Sequence, residues 1–578
     1  MTKNNKESLL KEMLFSIKFS ISTKPCLAIF IIILNLVLAV LYGLNVYFFA
    51  KSVIMFFAIY LASQLIIAFI ELILNYMVKK IKVMAANDLD LKIANKLNKM
   101  PFANLISNKN FRDNQLAHGG IRAITYSFQA WLEVFASIIK LLFTAIVVFS
   151  FNVWIGVAIV ISFVPMLLIN SVIEKKNFSF DMQNIDLERE KNSYEKVLIS
   201  NEGIADSRNF NSKNIFLSKW KVANKNINEN FLKINLNQEI SLNLMSIIEF
   251  FVFVLILCLS IFFAVNGTLA IGQFVAITAS IKLMQNDIAE IADKIGYLYS
   301  QILKSKFVRL FLNEEEEKNG TIKLEEFQSF KLENVSFSYS QQEGSNTPVK
   351  KVLDSLNFEV HKGERIAIVG ENGSGKTTLI SILLGLLKAS DGKFMINGIE
   401  MCDVEKSSFR KLLSVVSQSS ERYFLTLREN VALGEISKID QTEQIEECLD
   451  KSHFDKGEQR ALDNQLGRIF EGLEFSGGQW QKIAISRSFF KDSAKIFVFD
   501  EPTSAIDAIV EEKILNQFIK ETKDKTAIII SHRLSLCKKV DKIAFMENGK
   551  IVEFGTHEEL LAKKGKYAKM FLSQQKWY

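Results

Sequence analysis

Six long apolar stretches crowd the first half of this 578-residue chain, and they restrict its folding more than any other feature. Each approaches the roughly 20 apolar residues that cross a bilayer core, so each reads as a membrane-spanning helix. They run Cys26 to Phe49, Val53 to Val78, Trp131 to Phe151, Val153 to Ile173, Leu242 to Val265 and Leu269 to Met284. Only short connectors, around Ala50-Lys51-Ser52, Asn152 and Asn266-Gly267, separate the members of each pair, while long polar segments, Lys79 to Ala130 and Glu174 to Ile240, join one pair to the next. The long segments are basic, as is the N-terminal stretch with Lys3, Lys6, Lys11, Lys18 and Lys24, whereas the connectors hold only Lys51. By the positive-inside rule the long loops and both termini are expected on the cytoplasmic side.

A hydrophobic content of 49% is too high for an all-soluble chain, and the length exceeds one ordinary domain. Much of the net charge of +7 lies beside the spans. Topology and anionic headgroups account for it, and no nucleic-acid partner is expected. Leu10, Met13, Leu14 and Ile17 recur at helical spacing beside lysines, so residues 1–25 read either as a helix lying in the membrane interface or as a solvated helix end. The first span lacks a small-residue cleavage site and reads as a retained helix. The five cysteines show no CxxC or His-paired spacing, which favours reduced, inert thiols over a metal site or disulfides.

A different constraint governs the second half. Gly370-Glu371-Asn372-Gly373-Ser374-Gly375-Lys376-Thr377-Thr378 has the spacing GxxxxGK[ST], between the apolar run Ile366-Ala367-Ile368-Val369 and a helical run from Leu379 to Leu387. The glycines let successive backbone N–H groups curl around an anion, Lys376 reaches β- and γ-phosphates, and the Thr377 hydroxyl can ligate Mg²⁺. A flexible Gly/Ser linker would not carry Lys-Thr-Thr in that frame. The chain therefore reads as a user of nucleoside triphosphate.

Further elements narrow the class. Ser476-Gly477-Gly478-Gln479 opens a helical region and forms a second anion cradle at a helix start. One chain needs one cradle for its own triphosphate, so the second makes sense facing the triphosphate on another copy. Ile496-Phe497-Val498-Phe499-Asp500-Glu501 is an apolar strand ending in two carboxylates. Asp500 is placed to hold Mg²⁺ and Glu501 to point at the attacking water. His532, after the strand Ala527 to Ile530, can reach the γ-phosphate region and link it to Glu501. A surface acidic pair and a lone core histidine would be the better readings if each residue stood alone.

In that order these elements resemble those of an ATP-binding cassette (ABC) exporter half-transporter, bacterial, similar to lantibiotic/peptide and multidrug exporters. The resemblance covers nearly the whole chain. It implies an α-helical membrane domain of six transmembrane helices fused to an α/β phosphate-loop nucleotide-binding domain, divided as residues 1–25, 26–312, a linker 313–328, and 329–578. It implies that Tyr339, in Val335-Ser336-Phe337-Ser338-Tyr339, stacks on adenine. Gln418 matches the Q-loop glutamine and would reach the Mg²⁺; Ser504-Ala505-Ile506-Asp507 matches the D-loop. Two chains would sandwich two ATP molecules, each held by Tyr339, the loop through Thr378, Gln418, Asp500, Glu501 and His532 of one chain and by Ser476, Gly477, Gly478 and Gln479 of the other. Since every part is present, a homodimer is expected. Phe475 and Ile506 stand where the family usually has Leu, and Arg468 to Glu474 lacks its fuller acidic Gly-Glu pattern. The string Gln479-Trp480-Gln481-Lys482 is similar to exporters of lantibiotic-type peptides.

Transverse helices near Asn110 to Leu116 and near Gly203 to Ser212 are the expected coupling elements, and the acidic run Glu314 to Glu317 reads as a solvated linker. Glu71, Glu133, Lys140, Glu249 and Lys282 fall at membrane depth, where they either line the substrate path or reach water at span ends. The Lys, Ile, Asn and Phe bias suggests an AT-rich bacterial genome. The function expected is ATP-driven export of a peptide across the bacterial cell membrane, with a multidrug or lipid exporter as alternative and a non-transport ABC ATPase as a distant one. No peptidase domain precedes the first span, so removal of a peptide leader would need another protein.

Overall fold

The computed structural model describes residues 3–50, 54–106, 108–161, 187–267, 271–339, 351–455, 457, 460–468, 471–502, 506–531 and 534–575. The chain divides into two compact units. One is Met1–Asn98 with Phe111–Glu314; the other is Lys99–Asn110 with Glu315–Tyr578.

The first unit is helical: α1 (Lys3–Thr23), α2 (Pro25–Ala50), α3 (Ile54–Lys99), then, beyond the short α4 (Phe102–Leu105) of the second unit, α5 (Asn108–Phe151), α6 (Val153–Ile161), α7 (187–199), α8 (Asn201–Asn209), α9 (Lys213–Val265) and α10 (Ile271–Leu312). Among the described residues, four helices are long and apolar enough to cross a membrane: Pro25–Tyr42, Ala58–Lys99, Leu116–Ser150 and Lys213–Val265. They carry the first, second, third and fifth expected spans. Of the fourth, Val153 to Ile161 is helical and the rest lies outside the described residues. Of the sixth, Ile271 to Met284 falls within α10, where Lys282, Gln285, Asn286 and Asp287 shorten the described apolar run, and Leu269 and Ala270 lie outside the described residues. Phe250, Phe251, Leu255 and Phe262 of α9 are all more than half exposed, a face suited to lipid and not to water.

Among the described residues, the polar segments between spans are mostly helical, broken near Pro101 and at residues 210–212. They continue the same helices outward, so α3 has 46 residues and α9 has 53. At 1.5 Å per residue α3 is about 70 Å long, more than twice a hydrocarbon core of about 30 Å. Where α5 gives way to α6, Asn152 Oδ1 accepts from the N–H groups of Trp154 and Ile155 at 3.0 and 3.3 Å, satisfying orphan donors of a new helix start.

Three expectations need correction. First, α1 does not lie free: Glu12 is 1% exposed and its carboxylate receives Arg309 of α10, with Nε 2.8 Å from both oxygens and Nη2 at 2.5 Å. The fully buried face of α1 is Glu12, Ser16, Phe19 and Ser20; of the expected stripe, Met13 packs partly against Ala130, Leu298 and Ile302, Ile17 is half-buried and Leu14 is exposed. Second, Asn110 to Leu116 sits inside α5; the short helix of this region is α4, begun by Pro101, which cannot continue a preceding helix. A short helix does stand in the other expected region, α8, capped by Ser200 Oγ accepting from Gly203 N. Third, the acidic run is not a solvated spacer: Glu316 pairs with Lys99, and Glu317 with Lys406 and Arg410.

The second unit contains two sheets. An antiparallel one, β2-β1-β4-β5, comprises β1 (Ser329–Phe337), β2 (Leu353–His361), β4 (Asp391–Ile396) and β5 (Ile399–Glu400). The other has the order β10-β9-β3-β8-β7-β6, with β3 (Arg365–Gly370), β6 (Leu413–Val416), β7 (Ile496–Asp500), β8 (Thr526–Ile530), β9 (Lys542–Glu547) and β10 (Lys550–Gly555). All its pairings are parallel except β9 with β10. Strands β3, β7 and β8 read as unbroken apolar runs because both faces are covered. The covering helices are α11 (Lys376–Leu383), α12 (Lys406–Leu412), α13 (Leu427–Ala432), α14 (Thr442–Lys451), α15 (Gly477–Phe489), α16 (Ala508–Glu521), α17 (His557–Ala562) and α18 (Lys566–Gln575). Cys448 and Cys537 are buried here, and desolvation pushes both thiols up to about 12, which leaves them unreactive.

The six-residue α13 depends on its start. Thr426 Oγ1 accepts from Glu429 N while Glu429 Oε2 accepts from Thr426 N, a complete capping box. Thr426→Ala should cost about 1 kcal/mol there, seen as roughly fivefold faster amide exchange across Leu427–Ala432. Unchanged exchange would mean that packing alone holds this helix.

Candidate functional site

Parallel strands β3, β6, β7 and β8 deliver their carboxyl ends to one edge, the place where open α/β sheets bind ligands. The register sets Asp500 beside Ile530, Ile368 beside Ile530, and Val416 beside Phe499. Residues drawn from four separate stretches of sequence thus meet at one edge.

At the end of β3 the chain turns through Gly370 to Gly375 into α11. Gly373 and Gly375 have φ of +80° and +101°, left-handed values that a side chain would strain. Gly370 meets a different limit, since a Cβ there would lie 2.2 Å from the Met546 carbonyl oxygen. The Ser374 hydroxyl is buried with no hydrogen-bond partner among the described residues. An orphaned hydroxyl in a loop of bare amides at a helix N-terminus is what an anion would satisfy, so these residues fit a nucleotide's phosphates. Lys376 Nζ donates to the carbonyls of Gly370 and Glu371 at 2.8 and 2.9 Å. Burial holds its ammonium below the usual lysine range, against the attraction of Glu501 and Asp500.

Asp500 ends β7 and is 6% exposed. Glu501 follows with φ +48°, a conformation costly for a non-glycine residue, fixed by its N–H donating to Ile530 O at 3.1 Å. Gln418, two residues past β6, donates from Nε2 to Glu501 Oε2 at 3.0 Å. The structure therefore places the Q-loop glutamine and the carboxylate expected to face the attacking water in direct contact, 83 positions apart in sequence. His532, Ser504 and Ala505 lie outside the described residues. Asp507 is within them and caps α16, accepting from Ile509 and Val510 N–H groups.

Tyr339 stands 44% exposed at the end of β1, its ring edge-on to Phe337 with centroids 5.0 Å apart and its hydroxyl 3.1 Å from Thr378 Oγ1. An exposed ring tethered to the phosphate-loop helix is available for stacking on a base. Ser476 is the N-cap of α15, with Ser476 Oγ accepting from Gln479 N and Gln479 Oε1 accepting from Ser476 N. Sequence reasoning missed Asp455, which receives Gln479 Nε2 at 3.4 Å and Lys482 Nζ at 3.1 Å and steadies this cap from outside the motif. No local signal would have found it. Trp480 is buried on Phe475, which packs on Phe454, so it serves α15's packing.

Among the membrane-depth residues, Glu71 accepts from the Tyr42 hydroxyl at 2.7 Å, Glu133 pairs with Lys294 at 2.9 Å, and Lys140 lies over the Tyr42 ring at 4.3 Å. Nothing is described for the Glu249 and Lys282 side chains.

A phosphate loop, a strand-end carboxylate pair and a glutamine at one sheet edge define a phosphate-loop nucleotide-hydrolysing domain. A family model described as "ABC transporter" matches residues 353–504. The subtilin transport ATP-binding protein of Bacillus subtilis is 34% identical over 76% of this chain and 72% of its own length, and the nisin transport ATP-binding protein of Lactococcus lactis subsp. lactis is 30% identical over 78% and 75%. The chain belongs to the ABC transporter family, as an ATP-hydrolysing, multi-pass membrane transporter. Its fold matches that of a bacterial Atm1-family ABC exporter solved with ATP bound, with a TM-score of 0.79, 19% identity and coverage of 95% of this chain and 98% of the other.

Proposed function

We propose that this chain exports a peptide across the bacterial cell membrane, working as a homodimer with its termini and nucleotide-binding domain in the cytoplasm. The carrying observation is the convergence of Lys376, Asp500, Glu501 and Gln418 at one sheet edge in a chain whose relatives are named for subtilin and nisin transport. Tyr339 stacks on adenine; the backbone from Gly370 to Gly375, with Ser374, Lys376 and Thr378, cradles the phosphates. Thr377, Gln418 and Asp500 would hold Mg²⁺, which would offset charge on the transferred phosphoryl group. Glu501 takes the proton of the attacking water and His532 steadies the γ-phosphate. Ser476, Gly477, Gly478 and Gln479 of each copy close on the nucleotide of the other, and the closure moves the helices between inward- and outward-facing states. The domain limits 26–312 and 329–578 fit this division of labour.

The Tyr42–Glu71 contact and the Glu133–Lys294 pair supply polar anchors among apolar helices, and Glu71, whose partner Tyr42 is neutral, is the carboxylate best suited to a cationic cargo, with Glu133 offering one where cargo displaces Lys294. Inside-out vesicles containing only this chain should take up a cationic peptide with ATP, with Glu501→Gln vesicles as the blank. In the Glu71→Gln/Glu133→Gln double variant, uptake should fall at least about tenfold while unstimulated ATPase persists. Uptake of a lipophilic dye and not the peptide would replace this reading with a multidrug or lipid one.

A further inference from the structure

The acidic stretch after α10 is bound far more closely than a spacer needs to be. Lys96, 7% exposed near the end of α3, donates from Nζ to Glu314 O at 2.5 Å. Glu317 N donates to Lys99 O at 2.7 Å, and Lys99 Nζ lies 3.8 Å from Glu316. The Glu317 carboxylate, 22% exposed, meets Lys406 Nζ and, at 3.5 Å, Arg410 Nη2, one turn apart on α12. The next residues pair with the chain leading into α12: Gly320 N donates to Val404 O, Ile322 N to Asp403 O and Glu405 N to Ile322 O, at 2.8 to 3.1 Å. Gly320 allows the close approach, since a Cβ there would lie 2.0 Å from the Asp403 carbonyl carbon.

What this segment grips is the element that aims Gln418. Helix α12 passes into β6 with no intervening residue, and β6 ends at Val416, two residues before Gln418. Phe409, Leu412, Leu413 and Val416 are all buried, so the helix and strand move as one packed piece. Gln418 then contacts Glu501 at 3.0 Å. The Lys406 and Glu317 side chains are 16% and 22% exposed, and the desolvation cost of a largely buried pair offsets much of its attraction, so the pair bears on the position of α12 more than on stability.

We infer that Glu317 is a positioning residue that clasps α12 through Lys406 and Arg410 and thereby links the end of α10 and the end of α3 to Gln418 at the nucleotide site. It acts by fixing α12 and touches no nucleotide. Movement of the membrane helices reaches Gln418 through this clasp. This rests on the alternating-access reading above.

The test is hydrogen exchange on the full-length chain in lipid nanodiscs, comparing nucleotide-free samples with samples holding Mg-ATP and orthovanadate, for the parent, Glu317→Gln, Lys406→Gln and the double variant. In the parent, ATP and vanadate should slow exchange at Gly370–Thr378 and alter it in α3 and α10. In Glu317→Gln the loop response and the basal ATPase rate should persist, while the response in α3 and α10 falls at least about fivefold. Lys406→Gln should behave alike, and the double variant should be no worse than either single one. A full helix response in Glu317→Gln overturns the proposal. So does a joint loss of loop response, ATPase and thermal stability, which would mark Glu317 as merely structural. If the parent's helices give no response to nucleotide, the alternating-access reading itself fails, and the proposal with it.

Discussion

Replacing Glu501 with Gln is expected to abolish ATP turnover and leave ATP binding intact. The side chains are nearly the same shape, and an amide oxygen at this position can still accept from Gln418 Nε2, now 3.0 Å from Glu501 Oε2. Neither the left-handed backbone at this residue nor its bond to Ile530 O depends on the carboxylate. What disappears is the group able to take a proton from water. General-base catalysis contributes about 10²–10⁴ in rate, so phosphate release should fall by that factor while a fluorescent ATP analogue binds as before. Turnover within about threefold of the parent would remove Glu501 from the role of base. Weakened binding would instead assign the carboxylate to the architecture of the loop.

The second large effect lies at the other end of the chain. Arg309→Met should destabilise the helical unit by about 3–5 kcal/mol, because it leaves the Glu12 carboxylate buried without its partner. The Arg309 side chain is itself largely buried, and Met refills much of its apolar volume without carrying a charge, so the asymmetry falls on the acid. Pairing the change with Glu12→Gln removes the stranded charge and should recover most of the loss. Thermal unfolding of the detergent-solubilised full-length chain reads both, with a midpoint lowered by on the order of 10 °C in the single variant. An unchanged midpoint in Arg309→Met would show that the carboxylate finds water or another donor when its partner is gone.

The geometry of the candidate nucleotide site was largely legible in the sequence because phosphate chemistry dictates spacing. Bare amides need glycines at fixed intervals, and Gly373, Gly375, Lys376 and the capped Ser476 stand where that requirement puts them. Apolar runs likewise announced most of the spans, since a bilayer tolerates little else. What stayed hidden was carried by contacts between distant residues. Glu12 meets Arg309 across 297 positions and Glu317 meets Lys406 from a different stretch of the chain, and neither pairing leaves a local pattern. The Met13, Leu14, Ile17 stripe told only part of α1's packing for the same reason: helical spacing marks an apolar face, while the deepest contact is the charged one to Arg309. The clasped linker was misread because a run of four glutamates looks the same whether it meets solvent or lysines. Helix α4 was displaced in the reading because Pro101 sets its start and periodicity cannot resolve a single turn.

The uninterrupted length of α3 has a mechanical meaning. Its final 20 or so residues project about 30 Å past the apolar part, with every turn bonded to the one before. Such a rod stores no slack: each degree of tilt at the membrane shifts its tip by about half an ångström. A rotation of a few degrees, small enough to leave side-chain packing between helices intact, then delivers a stroke of an ångström or more. The gearing ratio of this machine is thus written in the number of helical residues beyond the lipid.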